Sequence, residues 1–338
     1  EIENILNYYY EELKNSLKER GIENPDTIIN KVGYFYTKDA INYKLVDGVK
    51  YPDEFDEFKK GLVKRSLKIK NKFSNKKIAI ISAEGTILNN DTYNPFDKSK
   101  TIGNNFSKLL QKIRKDKSIV AVLIRLNSPG GSSLMSDIIS REIKLLSKEK
   151  EVVISMGRVC ASGCYYLSSY ASKIFSEKLT LTGSIGVFMI KPSYDEFLRK
   201  KLYINPYIIK KGEHSDIFSS RKLTDEEKEG LKNFVYKIYQ DFINVVSEGR
   251  KISQDSVRKI AKGRIYLGLK AKELGLVDTI GGFIDALNYL KSKYKDASIE
   301  FYSREIELNL DILGLNLKSE KIFMLEPLFL FNEDIIKP

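Results

Sequence analysis

The sequence predicts an α/β protein in which helices cover both faces of a mainly parallel sheet. Three observations support this prediction: strand-like and helical segments alternate between about residues 76 and 222, the strand-like segments are apolar throughout, and glycine-rich turns join strands to helices. Apolar, β-branched strands are typical of parallel sheets that are buried on both faces. We therefore expect functional groups at the carboxyl ends of the strands, where open sheets of this kind place their sites.

Each element of this region follows from a local pattern, either short β-branched runs or apolar residues at helical spacing. In chain order we predict a strand at 77–82, a helix at 106–113, a strand at 119–126, a helix at 134–146, a strand at 152–156 and a helix near 165–171. Thr224 and Glu227 have the spacing of a capping box, which predicts the start of a long helix that runs to about Gly249.

An internal repeat is the clearest long-range signal. Residues 33–48 and 263–278 both contain a glycine, an aromatic residue, a short helix with an alanine, and the sequence Leu-Val-Asp. Helical stretches flank both copies in the same order, and one gap of a single residue aligns them. An α/β domain precedes the second copy, so we expect the first copy to be the tail of an earlier, missing domain. The alternative is a chance similarity between two amphipathic helical hairpins.

The predicted organisation has four parts. Residues 1–65 are the helical tail of the missing first repeat, 66–75 a Lys-rich linker, 76–300 the α/β domain, and 301–338 a hydrophobic extension rich in Leu and Phe. Polar residues interrupt the extension every few positions, so we expect it to lie on a membrane, on another subunit or on the body of the protein rather than to span a bilayer. The chain starts at Glu1 without an apolar leader, and we expect a fragment or a processed product.

Composition excludes several classes of function. The chain is 42% hydrophobic and 30% charged, as in ordinary globular proteins. Its net charge of +12 comes from lysines spread along the whole length and mixed with acidic residues, which does not predict nucleic-acid binding. With a single histidine and two cysteines, we expect no metal and no cofactor. We interpret Cys160 and Cys164 as small apolar residues that pack near a turn.

Two strand-to-helix junctions carry residues that could do chemistry. Residues 126–132 include adjacent glycines, Gly130 and Gly131, which allow backbone N–H groups to approach a ligand closely; a tight turn without a ligand is the alternative. In residues 160–166, Ser162 lies at a helix start, where the helix dipole favours negative charge and the N–H of Gly163 can stabilise the same oxyanion. The alternative is a serine that only caps the helix.

These two junctions and the segment 181–187 together resemble the signal peptide peptidase A family, which shares its fold with the Clp proteases and crotonases. The resemblance extends from about residue 78 to residue 290 and includes the Leu-Val-Asp tail. It implies that Ser162 is the nucleophile of a Ser-Lys dyad, that Gly131 and Gly163 are oxyanion-hole donors, and that Ser184 orients the lysine. A lysine whose pKa is lowered by burial can take the serine proton without any histidine.

The chain departs from this family at the lysine. In short members the lysine lies in a segment resembling residues 211–216, and the matching position here is Ser215. In long members two tandem copies form the active site together: the first contributes the lysine and the second the serine. The resemblance and the repeat together therefore predict that the missing first half supplies the lysine. The alternatives are that His214 or Lys211 acts as the base, or that the chain is an inactive pseudo-enzyme. Successive residues of an extended segment point to opposite sides, so His214 would face away from Ser162 if Ser215 faced it.

We therefore predict the nucleophile-bearing half of an extracytoplasmic serine endopeptidase that cleaves apolar peptides such as remnant signal peptides. The resemblance implies a homo-oligomer at a membrane surface, on the periplasmic side of the inner membrane. The competing classes are a crotonase-type acyl-CoA enzyme, which does not explain the serine at the head of the helix, and a non-catalytic scaffold. A cytoplasmic Clp-like peptidase would need a triad histidine just beyond its serine helix, and the sequence has none there.

Overall fold

The computed structural model describes residues 2–29, 37–49, 75–93, 99–209, 213–308 and the short segments 311–312, 315–316 and 321–323. The chain divides into two compact units, one made of Glu1–Phe73 with Pro327–Pro338, and the other of Ser74–Glu326. Most of the predicted linker at 66–75 lies outside the described residues, and the predicted domain limits stay a prediction.

The first unit contains three described helices, α1 (Ile2–Glu19), α2 (Pro25–Ile29) and α3 (Thr37–Asn42). Its small core is formed by Leu17, Ile22 and Ile28, with Ile29 and Leu45 packed against them.

The second unit contains the described helices α4 (Asn104–Lys115), α5 (Ser133–Glu149), α6 (Gly163–Ser168), α7 (Asp195–Lys201), α8 (Asp225–Arg250), α9 (Gln254–Ile260), α10 (Gly268–Glu273) and α11 (Phe283–Lys293). Its described strands are β1 (Lys77–Glu84), β2 (Thr86–Ile87), β3 (Thr92–Tyr93), β4 (Thr101–Ile102), β5 (Ile119–Ser128), β6 (Glu151–Ala161), β7 (Lys173–Ser176), β8 (Leu181–Gly183), β9 (Ile265–Leu267), β10 (Thr279–Ile280), β11 (Ser298–Phe301), β12 (Glu305–Leu308), β13 (Asp311–Ile312), β14 (Leu315–Asn316) and β15 (Lys321–Phe323).

The central sheet has the strand order β10-β7-β6-β5-β1-β11, and every neighbouring pair on this path is parallel. Strands β1, β5 and β6 are almost continuously buried, as expected for strands that are covered on both faces. Packed against the sheet are apolar residues of α4 and α5, including Phe106, Ile113, Ile139 and Ile143. The predicted fold class, a mainly parallel sheet with flanking helices, is therefore confirmed.

The sheet forks along β6. The first half of this strand pairs with β7 at Val153–Ser155, whereas its last residues, Val159–Ala161, pair with β8. Between the two pairings, the hydroxyl of Thr180 donates to the carbonyl of Gly157 at 2.8 Å. Strand β8 also pairs antiparallel with β9, so the carboxyl end of β6 meets a short branch of the same sheet.

The capping box that the sequence predicts is present. The side chain of Thr224 accepts from the N–H of Glu227, and the Glu227 carboxylate accepts from the N–H of Thr224 at 2.9 Å. Helix α8 follows and ends at Arg250, one residue beyond the predicted end.

Toward the C-terminus, β12 pairs with β3 and with β15. Across the described residues, no helix is both long and apolar enough to cross a membrane.

The two copies of the predicted repeat share a local geometry, which we call the N-terminal clip (Arg20, Lys44, Asp47) and the C-terminal clip (Arg250, Gly275, Asp278). In each clip the arginine, at or just after the end of a helix, donates from Nη2 to the aspartate, at 2.7 Å and 2.5 Å respectively, and from Nε to a carbonyl. The carbonyl belongs to a residue with positive φ just after the second short helix that follows, α3 or α10. Its φ is 58° at Lys44 and 76° at Gly275.

Four backbone hydrogen bonds also recur in both copies. In the first copy the donors and acceptors are Ile22 N to Leu17 O, Lys44 N to Ile41 O, Leu45 N to Ala40 O and Val46 N to Ala40 O. In the second copy the equivalent bonds, in the same order, are Ile252 N to Ser247 O, Gly275 N to Lys272 O, Leu276 N to Ala271 O and Val277 N to Ala271 O. With the two arginine bonds, six hydrogen bonds have equivalents in both copies. The side-chain clip is thus reproduced together with the backbone, and the repeat stays a prediction.

Candidate active site

Ser162 lies at the sharp turn between β6 and α6. Its backbone angles, φ 54° and ψ −123°, are unusual for a residue with a side chain. Such a conformation costs of order 1–3 kcal/mol and persists only where the surrounding structure enforces it. Here the N–H of Ser162 donates to Gly183 O, and its carbonyl accepts from Tyr166 N, both at 2.9 Å. A strained serine on a strand–turn–helix corner is the geometry of a nucleophile elbow, which exposes the hydroxyl above the sheet.

The hydroxyl of Ser162 does not cap helix α6. Ser132, at the equivalent corner before α5, does cap its helix: its side chain accepts from Met135 N at 3.3 Å. The two serines therefore have different roles, and the interpretation of Ser162 as an ordinary capping residue is wrong.

The glycine turn lies directly against this corner. Ile87 donates to Gly130 O and accepts from Ser132 N, each at 2.8 Å, so the Gly131 N–H between them is directed away from β2. A Cβ on Gly130 would lie 2.7 Å from Gly163 N, and one on Gly131 would lie 2.1 Å from Ile87 O. With φ of 102° and 150°, both positions also favour glycine by conformation.

Two backbone amides converge beside Ser162. A Cβ built on Gly163 would lie 3.3 Å from the nitrogen of Gly131. Among the hydrogen bonds between described residues, none uses the N–H of Gly131 or of Gly163. The Gly163 amide is also the first of helix α6, where the partial positive charge of the helix end favours an anion. Two free, fixed N–H groups next to a hydroxyl form the arrangement of an oxyanion hole.

Gly163 packs closely against Ser136 of helix α5. The hydroxyl of Ser136 is buried and donates to Ser132 O at 2.8 Å. A Cβ on Gly163 would lie 2.3 Å from this hydroxyl oxygen. Ser136 was not singled out from the sequence, because a serine inside the first turn of a helix, after the cap, has no distinctive local signal.

Ser184 follows the strand that pairs with the end of β6. Because Gly183 is the register partner of Ala161, Ser184 comes beside Ser162 on the neighbouring strand. Ser184 has a positive φ of 49°, and its N–H donates to Arg264 O at 2.7 Å. The structure thus brings together the four residues named as catalytic or oxyanion-hole groups: Ser162, Ser184, Gly131 and Gly163.

Cys160 and Cys164 form a disulfide across the nucleophile turn. Their Cα atoms are 5.1 Å apart, a normal separation for a bridge, and both residues are fully buried. Both cysteines pack beside the turn as predicted, but the bond between them was not predicted. The bridge closes a loop of five residues with Ser162 at its centre, so it limits how far the turn can open.

The candidate bases within the chain lie in a charged cluster. Nδ1 of His214 is 3.1 Å from Oε1 of Glu227, and this hydrogen bond raises the pKa of the imidazole. Arg221 donates to both oxygens of Glu227 and pairs with Asp216, and these contacts hold the pKa of the Glu227 carboxyl well below its usual range. His214 is therefore stabilised in its protonated form, which cannot accept a proton.

The structure describes only one of the other two residues of this segment. Ser215 is exposed, and Lys211 lies outside the described residues. Within the described part of the chain there is no group of three or more His, Cys, Asp or Glu residues that could hold a metal ion.

Exposed apolar side chains follow the elements that build the site. Leu88 comes directly after Ile87, and Leu134 lies in the first turn of α5 after the glycine turn. Phe188 and Ile190, both about four-fifths exposed, follow Ser184 along the chain. These exposed apolar side chains lie on the segments next to the candidate catalytic residues in the chain.

The parallel sheet and the strained serine beside two free amides are features of serine hydrolases built on a parallel α/β sheet. Comparison with known proteins agrees: residues 144–297 match the family model described as Peptidase family S49. Protease 4 of Haemophilus influenzae is 36% identical over 242 residues, which cover 68% of this chain and 37% of that protein.

Two shorter relatives match a larger share of their own length. A putative signal peptide peptidase SppA of Enterococcus faecium is 37% identical over 236 residues, covering 69% of this chain and 68% of the relative. A putative protease of Methanocaldococcus jannaschii is 39% identical over 221 residues, covering 65% and 71%. The chain belongs to peptidase family S49, and the predicted class of serine peptidase is confirmed.

The match thus spans only about a third of the length of the long relative, Protease 4. Among solved structures, a mutant ClpP1 of Listeria monocytogenes is 16% identical, with a TM-score of 0.38, covering 68% of this chain and 99% of that one.

Proposed function

We propose that this chain is the nucleophile-bearing half of a serine endopeptidase, with Ser162 as the attacking residue. The observation that carries this proposal is the strained turn of Ser162, whose hydroxyl does not cap its helix and lies beside two free amides. In the reaction, Ser162 Oγ attacks the scissile carbonyl carbon while a base takes the hydroxyl proton. The carbonyl oxygen becomes an oxyanion that accepts from the N–H groups of Gly131 and Gly163. The proton then passes to the leaving amine, and water releases the acyl group.

The base is a lysine supplied by a second α/β domain, and Ser184 orients its amine beside Ser162. Three observations support this part of the proposal. Ser215 occupies the position where a lysine is expected within the same domain, and His214 is engaged with Glu227. In addition, the N-terminal clip repeats the geometry of the C-terminal clip, which is part of a complete α/β domain. A buried lysine with a lowered pKa is a competent general base near neutral pH.

The substrates are extended apolar peptides such as remnant signal peptides. The exposed apolar residues Leu88, Leu134, Phe188 and Ile190 suit apolar side chains of such a peptide. A peptide in β conformation can pair with the free edge of the glycine turn, which places its carbonyl at the two amides. The similarity to a protein named signal peptide peptidase supports the same substrate class.

We place the protein at the periplasmic side of the inner membrane, as a membrane-associated homo-oligomer. A disulfide next to the nucleophile is compatible with an oxidising compartment outside the cytoplasm. The net charge of +12 suits a position beside anionic lipid.

Peptide cleavage by the chain alone and by the protein from its complete reading frame tests this proposal. We expect no turnover of an apolar fluorogenic peptide by the 338-residue chain, and turnover that Ser162→Ala abolishes in the complete protein. Ser162-dependent turnover by the chain alone would refute the separate base, and loss of that turnover in His214→Ala would then identify His214. Absence of Ser162-dependent turnover in both proteins would support a non-catalytic scaffold instead.

A further inference from the structure

The strand that leads to the nucleophile, β6, contains a bulge shortly before Ser162. The pairing of β5 with β6 changes register after Leu126 and Met156, so that Gly157–Val159 of β6 lie opposite the single residue Asn127 of β5. Bulges bend a strand, and beside an active site they redirect a side chain. The direction in which β6 reaches the turn at Ser162 therefore depends on the groups that hold this bulge.

The side chain of Asn127 binds the bulge from the β5 side. Its Oδ1 accepts from Val159 N at 3.2 Å. A Cβ on Gly157 would lie 2.8 Å from the Cβ of Asn127, so the backbone of Gly157 packs directly on this side chain. In the other direction, Nδ2 of Asn127 donates to Oε1 of Glu84 in β1 at 3.0 Å. The two bonds fix the orientation of the amide, because a backbone N–H only donates and a carboxylate only accepts.

The acceptor of this amide is itself held in place. Nζ of Lys100 donates to Oε2 of Glu84 at 3.3 Å, and the two side chains are only 11% and 21% exposed, respectively. A Cβ on Gly85, the residue after β1, would lie 1.8 Å from Lys100 O, so the two backbones are in direct contact. Glu84 therefore provides a fixed anchor for the side chain of Asn127.

Asn127 is also the residue from which the glycine turn starts. Its backbone carbonyl accepts from Gly85 N at 3.0 Å, which holds the start of the turn against the end of β1. Within the turn, Gly130 N donates to the hydroxyl of Ser128 at 3.1 Å, and the free amide of Gly131 follows. Asn127 thus has its backbone at the start of the oxyanion-hole turn and its side chain on the nucleophile strand.

We propose that Asn127 is a positioning residue that sets the distance between Ser162 Oγ and the N–H of Gly131. A shift of its amide moves Val159, and with it the corner that carries Ser162, while its backbone keeps the glycine turn in place. This inference rests on the proposed function, because the distance matters when both groups act on one substrate carbonyl.

Two other side chains bind the bulge from elsewhere in the sheet. Nη1 of Arg125 donates to Met156 O at 2.7 Å, and the hydroxyl of Thr180 donates to Gly157 O at 2.8 Å. Among the hydrogen bonds between described residues, neither side chain reaches the glycine turn. Thr180 therefore offers a matched control, because its loss weakens the bulge without touching the link from the bulge to the turn.

Peptide cleavage by variants of the protein from its complete reading frame tests the proposal. Asn127→Asp keeps the oxygen that accepts from Val159 N but loses the donation to Glu84 and places a second carboxylate against it. We expect kcat to fall by roughly 10–10²-fold with little change in KM, since a displacement of about 1 Å can cost about 10²-fold. Glu84→Gln/Asn127→Asp restores an amide–carboxylate pair with donor and acceptor exchanged, and it should regain kcat several-fold. Thr180→Val should leave kcat nearly unchanged.

Hydrogen exchange followed by mass spectrometry gives a second readout that does not need turnover. In Asn127→Asp we expect faster exchange in both residues 126–132 and residues 157–166, because the link between the two segments is lost. In Thr180→Val the faster exchange should be confined to residues 157–166. Urea unfolding shows which variants are folded under the assay conditions. If Asn127→Asp is unfolded, Glu84→Gln weakens the same bond from the other side and should lower kcat several-fold.

Three outcomes would overturn the positioning role of Asn127: an equal loss of kcat in Thr180→Val, no recovery in the double variant, or faster exchange in only one of the two segments of Asn127→Asp. If the unaltered protein cleaves peptides through Ser162 and Asn127→Asp cleaves them equally well, only the positioning role is refuted. If the unaltered protein shows no Ser162-dependent cleavage, the proposed function is refuted, and the exchange of the two segments decides whether Asn127 links them.

Discussion

The close contact between Gly163 and Ser136 predicts that a glycine-to-alanine substitution in a helix will destabilise this protein, whereas such substitutions usually stabilise. In a helix, replacing glycine by alanine normally stabilises a protein by about 0.4–1 kcal/mol, because the unfolded chain loses conformational freedom. In Gly163→Ala the new Cβ would lie 2.3 Å from the Ser136 hydroxyl, within the buried corner of α5 and α6. Overpacking of this kind costs roughly 1–3 kcal/mol. We therefore expect a net loss of about 1–2 kcal/mol in the free energy of unfolding.

Ser136→Ala provides the matched partner. It removes the hydroxyl bond to Ser132 O, which is worth about 1 kcal/mol, and leaves that carbonyl with its bond from the Ser136 N–H. The double variant Gly163→Ala/Ser136→Ala also relieves the clash, so it should be more stable than the sum of the two single effects predicts, by about 1–2 kcal/mol. Urea unfolding of the four proteins measures this coupling. Additive effects, or stabilisation by Gly163→Ala alone, would refute the packing argument.

The same cycle has a catalytic readout in the complete protein. Displacement of the Gly163 amide weakens one oxyanion donor, and loss of such a donor lowers kcat by roughly 10²–10³-fold. We expect Gly163→Ala to lower kcat with little change in KM, and the double variant to recover part of the loss. An unchanged kcat in Gly163→Ala would show that this amide does not contact the oxyanion.

Three further predictions concern the surroundings of the site. The hydrogen bond to Glu227 raises the pKa of His214 in the folded protein. The stabilisation by this bond should therefore be fully present below the unfolded pKa of about 6.5 and disappear as pH rises through the folded pKa. Urea unfolding between about pH 5.5 and 8.5 should show this pH dependence, and His214→Ala should lack it. Replacing Cys160 and Cys164 by alanine should lower the free energy of unfolding by roughly 2 kcal/mol, because the bridge closes a loop of five residues in the unfolded chain. A reductant should have no further effect on the stability of that variant. Equal stability of the protein with and without the bridge would contradict this prediction. Arg304 lies 2.6 Å from the fully buried carboxylate of Asp91. Arg304→Leu leaves this charge without its partner, so it should lower the free energy of unfolding by about 3–5 kcal/mol in thermal or urea unfolding. A loss below about 1 kcal/mol would show that water replaces the arginine.

The features that the sequence predicted correctly are those with a strong local signal. The β-branched runs that form β1, β5 and β6 have no polar alternative to burial, and the capping box at Thr224 is specified by two residues three apart. Predicted boundaries were short by a few residues at β6, because its last residues pair with a neighbour that lies more than 20 residues further along the chain. Local composition carries no information about that pairing.

The residues of the candidate site could be predicted from the sequence, but the bonds that hold them, such as the disulfide, could not. Gly131 and Ser162 lie at junctions that glycine content and the strand–helix order identify. The disulfide was missed because a separation of four residues indicates a bridge only when the chain reverses between them, and the turn at Ser162 is what brings the two cysteines together. The bonds of His214 to Glu227 could not be predicted either, because they depend on how the loop before α8 folds back.

The fork along β6 separates the mechanical behaviour of the catalytic end from that of the core. Residues Val153–Ser155 are held by β7, whereas Val159–Ala161 are held by β8 and, through it, by β9. Release of the end of β6 requires breaking its pairing with β8 and the single pairing of Cys160 with Ser128 of β5, while the pairing of Val153–Ser155 with β7 stays intact. Amide protons on the two halves of one strand should therefore exchange with solvent in different cooperative units. Opening of the β8 branch would therefore reach the corner that carries Ser162 before it reaches the main parallel ladder.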